Sequence, residues 1–174
     1  MLFDLNKSIE ILERTPAALT TLLQGLSSEW IFASEGENTW SPYDVIGHYI
    51  EGEKTDWIPR MRIILSPDKD KRFVPFDRFA QLKNDKSKSV DMLLNEFSEW
   101  RRKNIAELKE ANLDEEKLNK KGIHPEFGEV TLRELLAAWV THDLNHIFQI
   151  SRVMAKQYKK EIGPWTKYIS IVNK

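Results

Sequence analysis

Four long stretches of this 174-residue chain repeat their apolar residues with a period near 3.6, and none alternates with the two-residue period of a half-buried strand. That pattern predicts an all-α protein. The first helix is expected from about Asp4 to Leu26, with Leu5, Ile9, Leu12, Leu19, Leu22, Leu23 and Leu26 inward and Pro16 kinking it or restarting it behind Thr15. The second is expected from Ser41, which can cap ahead of Pro42 and Asp44, to about Leu65, with a bend at Pro59. A third, from about Ser87 to Glu110, places Val90, Leu93, Leu94, Phe97, Ile105 and Leu108 on one stripe. The fourth follows a Thr131–Glu134 capping box and runs to about Tyr158, ahead of Gly163-Pro164 and a short tail.

Each helix has one apolar face to cover, so a four-helix bundle in a single domain is the natural architecture. Its connections, Ser66 to Lys86 and Ala111 to Val130, are long enough to allow crossovers in place of a simple up-and-down order. The first contains Phe73, Phe76 and Phe79, which predicts an ordered loop laid over the bundle. The charged run Glu99 to Lys103 and the patch Lys69 to Arg72 read as solvated surface.

Composition removes several kinds of function. Lys and Arg number 26 against 27 Asp and Glu, so there is no electrostatic reason to expect nucleic acid or an anionic membrane as partner. The chain has no cysteine, which excludes disulfides, thiolate metal sites and a protein-borne thiol nucleophile. No apolar run approaches the roughly 18 residues that span a bilayer, and the charged N-terminus is unlike a secretory signal, so a cytoplasmic protein is expected.

The chemistry points to histidine. His142 and His146, four apart, share a face of the fourth helix with Asp143, in the middle of the stripe Leu132, Leu135, Leu136, Trp139, Ile150 and Val153. His48 projects inward with Val45, Tyr49 and Gly52 on the second helix. A lone histidine on such a stripe is usually a core imidazole satisfied by a carbonyl. Three buried together without partners would cost on the order of 1–3 kcal/mol each, whereas one divalent ion satisfies all three. Three neutral imidazoles suit Zn²⁺, Ni²⁺ or Fe²⁺ and leave a coordination position open, as reactive sites do. A dinuclear carboxylate site would want two Glu-x-x-His pairs, and a haem would want ligands facing each other; neither is offered.

Around these three, Glu51 and Asp56 are candidates for a general base, and His124, in the loop Gly122 to Gly128, for a fourth ligand or proton shuttle. For His124 the other reading is a solvated loop imidazole, and for the acids a surface salt bridge. Asp143 and Gln149 suit support of the imidazoles, while Asn145 reads as a helix-surface amide. Trp40, Trp57, Trp139 and the loop phenylalanines could wall an apolar pocket, and Arg60, Arg62 and Arg78 could attract carboxylates.

The segments Trp40-Ser41-Pro42-Tyr43-Asp44-Val45-Ile46-Gly47-His48, Phe127-Gly128, Thr131 to Leu136 and His142-Asp143-Leu144-Asn145-His146-Ile147-Phe148-Gln149-Ile150 together resemble the DinB-like (YfiT-like) superfamily, in the right order over nearly the whole chain. The resemblance implies a bundle of crossed connectivity, with nickel or zinc on the histidines that match His48, His142 and His146. It also implies a homodimer, and metal-dependent hydrolysis or S-transfer that uses a low-molecular-weight thiol such as bacillithiol, mycothiol or glutathione. In that enzyme the ion would acidify water or bind an external thiol, Glu51 or Asp56 would move a proton, and a small-molecule electrophile or hydrolysable substrate would lie among the aromatic residues. The contrasting expectation is a non-catalytic dimeric stress or ligand-binding bundle with a structural or vestigial metal site.

Overall fold

Local signals start most of the helices. In the computed structural model, which describes residues 2–83 and 86–174, Asp4 caps α1 (Leu5–Leu23) by accepting from the Lys7 amide. A short α2 (Ser28–Phe32) follows. Ser41 and Asp44 form the expected reciprocal capping box at α3 (Pro42–Thr55), and Thr131 and Glu134 form the one at α7 (Leu132–Gln157). Ser89 caps α5 (Val90–Glu110), two residues later than expected.

Neither Pro16 nor Pro59 breaks a helix, each for a backbone reason. The second long helix breaks at Asp56, between α3 and α4 (Trp57–Leu65), and not at Pro59. Pro59 is the third residue of α4, where a missing N–H costs nothing because first-turn amides have no intrahelical partner. α1 runs through Pro16 unbroken, and Thr15 donates to the Ile11 carbonyl 3.1 Å away in place of capping a new helix. Proline removes the donor that would serve the Leu12 carbonyl; Arg101 of α5 supplies one from Nη1 at 2.8 Å.

The long helices do not pack in chain order. α1 packs against α5 and α7, and α3–α4 also pack against α5 and α7, so the consecutive helices α1 and α3 occupy opposite corners. This is the crossed connectivity that long connections allow. No helix among the described residues is long and apolar enough to cross a membrane.

The second connection is not plain loop. It holds α6 (Glu115–Leu118) and an antiparallel hairpin of β1 (Lys121–His124) and β2 (Gly128–Thr131), in register from Lys121 opposite Thr131 to His124 opposite Gly128. The preceding connection docks on its edge, with the Phe73 amide donating to Ile123 O at 2.9 Å and the Ile123 amide to Lys71 O at 2.8 Å. Gly122 permits this, since a Cβ there would stand 2.3 Å from the Phe73 ring. Strands this short carry no periodicity, and pairing across distant segments is what stabilises them. Lys71 is also no free surface charge: its Nζ donates to the Ile63, Ile64 and Ser66 carbonyls at the end of α4.

The interior is layered. One apolar cluster gathers Leu12, Trp57, Ile105, Leu136 and Trp139; a second gathers Leu19, Ile50, Phe97 and Ile150. Between them, on every corner helix, lies a polar level. Arg101 is 1% exposed there, and its five N–H groups reach both Asp143 carboxylate oxygens (2.6 and 3.0 Å), Glu53 Oε1 from Nε and Nη2 (2.9 and 2.7 Å), and the Leu12 carbonyl. Asn104 and Trp139 donate to Glu53 at 2.8 and 3.1 Å. Burial raises the Glu53 carboxyl in spite of Arg101, while the side chains that bond it here are all donors, an arrangement that suits the ionised form. The reading of Glu99 to Lys103 as surface is therefore wrong at Arg101. A signal existed: Arg101 lies four residues from both Phe97 and Ile105, on the apolar stripe itself.

Candidate metal centre

His48 lies on α3, one to two turns after its capped start, and His142 and His146 lie one turn apart on α7. Their ring nitrogens come within 4.8 Å of one another, with His48 Nε2 and His142 Nε2 3.0 Å apart. His146 Nδ1 donates to Gln149 Oε1 at 2.6 Å, so its Nε2 keeps a free lone pair. His48 Nδ1 makes no hydrogen bond among the described residues, and His142 Nδ1 lies near the Asp143 carboxylate without an aligned one.

The surroundings keep two of these imidazoles neutral. Burial, aided by the two other imidazoles, pushes His48 down to about 3, and burial with His142 beside it pushes His146 down to about 4. Both are neutral near pH 7, as metal ligation requires. Asp143 is fully buried; although burial works against its charge, Arg101 and then His142 hold it below the usual carboxylate range. One guanidinium for two carboxylates leaves the polar level with a formal charge of about –1 behind the imidazoles. Three neutral nitrogen donors at this spacing, backed by negative charge, fit a divalent ion of the zinc or nickel type.

Aromatic rings wall the cluster. Trp40 is 4.8 Å from the His48 ring and nearly parallel to His146 at 6.2 Å, the Phe76 edge meets His48 at 5.5 Å, and Trp57 meets His142 at 5.1 Å. Tyr49 lies behind, donating to the Asp143 carbonyl at 2.7 Å and so tying α3 to α7 at the site. Gly47 lets the Ala80–Lys83 turn lie on α3, since a Cβ there would be 2.9 Å from Gln81 Cβ. The imidazoles and these rings open on a cavity of ≈ 1350 Å³ between α3–α4, α7 and the hairpin.

Of the other candidates, Asp56 and His124 line this cavity and Glu51 does not. Glu51 faces a separate cleft of ≈ 250 Å³ with Lys54, Gln81 and Glu96, because its helix turns it away from α7. Asp56 pairs with Arg60 Nη1 at 2.7 Å; burial raises its carboxyl against the pull of Arg60 and His142. His124 stands outside the three-imidazole cluster. Its Nδ1 accepts from the Glu126 and Phe127 amides at 3.1 and 3.3 Å, which puts its proton on Nε2. Asn145, expected on the plain helix surface, also lines the cavity, as do Arg60 and Arg78, whereas Arg62 pairs with Glu107 elsewhere. Trp139 is wholly buried and stacks on the back of Trp57 at 5.9 Å, outside the wall. Sequence reasoning missed Glu53, Arg101 and Asn104, which hold the floor beneath the site.

Fold and site together define a crossed four-helix bundle with a three-imidazole centre in an aromatic cavity. The family model of the DinB superfamily matches residues 11–150, and the chain belongs to that superfamily. A solved structure, YfiT from Bacillus subtilis, described as a probable metal-dependent hydrolase with an unusual four-helix bundle topology, is similar in fold at a TM-score of 0.73. The two share 20% sequence identity, over 87% of this chain and 86% of that one. No curated protein matches the sequence.

Proposed function

We propose that this protein is a divalent-metal-dependent hydrolase of a small organic substrate, with His48, His142 and His146 as the ligands of one ion. The observation that carries the reading is the cluster itself: three imidazoles within 4.8 Å of one another, two of them held neutral, facing a cavity of ≈ 1350 Å³. The likeness to YfiT supports it at the level of fold. The ion would supply Lewis acidity, making water or a thiol more acidic at neutral pH.

The chain's own residues do the rest. Gln149 holds His146 in the tautomer that presents Nε2, and Trp40 and Phe76 exclude water from the His48 side. Asp56, whose carboxyl is raised by burial, is suited to taking and returning a proton at a carboxylate oxygen. A second reading, transfer of an external low-molecular-weight thiol to an electrophile, is favoured by volume, since single small ligands fill about 300–1,000 Å³.

Elemental analysis of protein purified without a polyhistidine tag should find one equivalent of zinc, nickel or iron in the wild type and little in His146→Ala. Turnover of an ester and amide panel, with and without added thiols, should be lost in the variant. Equal rates in the two proteins would overturn metal-based catalysis, and a strict thiol requirement would replace hydrolysis by transfer.

A further inference from the structure

The hairpin end of the cavity carries cationic and N–H groups that the imidazole centre does not use. Arg60 is 6% exposed and lines the cavity, and its guanidinium lies over the Phe73 ring at 5.1 Å. Nη1 pairs with Asp56, and the buried Nε has no partner among the described residues. A buried guanidinium Nε left unserved is uncommon in a fold that satisfies all five donors of Arg101. Phe73 also meets His124 edge-on at 6.3 Å, so Arg60 and His124 flank one ring. On the other side of His124, Glu126 donates its amide to the imidazole and pairs with Arg78 at 3.6 Å. Arg60, His124 and Arg78 therefore follow one another around a single wall, and both arginines help to lower the pKa of His124, after burial. The acids nearby are engaged: Glu129 by Lys121 at 2.8 Å and Glu134 by the Thr131 amide and hydroxyl.

We propose that this wall is an anion subsite, in which Arg60, the Nε2–H of His124 and Arg78 hold a carboxylate of the substrate while its apolar body lies among the aromatic rings. The substrates are then organic acids whose reacting bond lies away from the carboxylate; in that respect the inference rests on the proposed catalytic reading, although the binding itself does not. Charge selects the anion. Asp56 and Glu126 already balance the two arginines, so a monoanionic carboxylate is accommodated more readily than a phosphate dianion. The planar fork of arginine matches carboxylate geometry, and the buried Arg60 contributes more than the exposed Arg78.

The test is calorimetric titration of the full-length protein with 4-phenylbutyrate, its neutral amide and phenyl phosphate, as purified and again with EDTA. The acid should bind about tenfold or more tighter than the amide, and tighter than phenyl phosphate, with and without the chelator. Arg60→Lys, which keeps the charge beside Asp56 but not the fork, should reduce the preference for the acid about tenfold, and Arg78→Ala on the surface about two- to threefold. Both should leave binding of the amide unchanged. Equal affinity for acid and amide, a preference that disappears with EDTA, or one that survives in both variants would overturn the proposal. Preferred phenyl phosphate binding would overturn its carboxylate selectivity. A preference for the acid in protein that shows no metal-dependent turnover would instead sink the hydrolase reading and leave the subsite standing.

Discussion

The Arg101 guanidinium and the His48 imidazole are both buried inside one bundle, and α7 serves both, placing Asp143 between His142 and His146. Around Arg101 every N–H finds an acceptor, and Glu53 and Asp143 are bonded in return. Around the imidazoles Gln149 serves His146 and the Nε2 atoms of His48 and His142 face each other, while the Nδ1 atoms of His48 and His142 have no aligned partner among the described residues. A closed polar network makes one arrangement of helices better than its alternatives; an open one facing a cavity is equipped to take up something the chain does not contain. The two clusters are coupled, because the network's excess negative charge lies directly behind the open site.

The largest expected effect separates the two. Arg101→Met leaves Glu53 and Asp143 buried without their cation and the Leu12 carbonyl without a donor, and urea denaturation should show a loss of about 3–5 kcal/mol. His142→Ala, at a cavity wall, should change the stability of metal-free protein by about 1 kcal/mol or less while removing metal binding. Similar losses from both would erase the distinction.

Acid should also act on the two clusters in different ranges. His48 and His146 have folded pKa values of about 3 and 4, below the ordinary 6.5, so below pH 6.5 the unfolded chain binds protons that the folded chain does not. Stability of the metal-free protein should therefore fall by about 1 kcal/mol per imidazole between pH 6.5 and 5.5, a slope that His48→Gln and His146→Gln reduce. Asp143 is held below its ordinary 3.8, so its contribution persists across that range and is lost only in stronger acid. A denaturation midpoint indifferent to pH from 7.5 to 5.5 would contradict the assignment of the imidazoles as buried and neutral.

The smallest effect concerns Pro16. In an Arg101→Met background, Pro16→Ala restores an amide donor for the Leu12 carbonyl and should recover about 1 kcal/mol; in the wild type, where Arg101 already serves that carbonyl, the gain should be smaller. Equal gains in both backgrounds would mean that Arg101 does not compensate for the proline.

Much of this was legible along the chain. The starts of α3 and α7 follow from Ser41-Pro42 and from Thr131 with Glu134, because a cap is satisfied within four residues. The four-residue spacing of His142 and His146 likewise needs only helical geometry. The break at Asp56, the hairpin and the burial of Arg101 were not read; the last two depend on what distant segments supply, the edge offered by Lys71 to Phe73 and the carboxylates of two other helices. Glu51 and Asp56 looked alike as candidate bases, and only the direction in which α3 presents each of them told them apart.

What the sequence by itself determined was the four long helical segments, most of their caps and the presence of imidazoles on two apolar faces, because hydrophobic phase and capping are short-range physics. Tertiary structure alone decided that His48 meets His142, that Arg101 rather than water serves Leu12, and that Arg60 and His124 flank one phenylalanine. These depend on which helices become neighbours, and in a bundle of crossed connectivity chain order does not say which do.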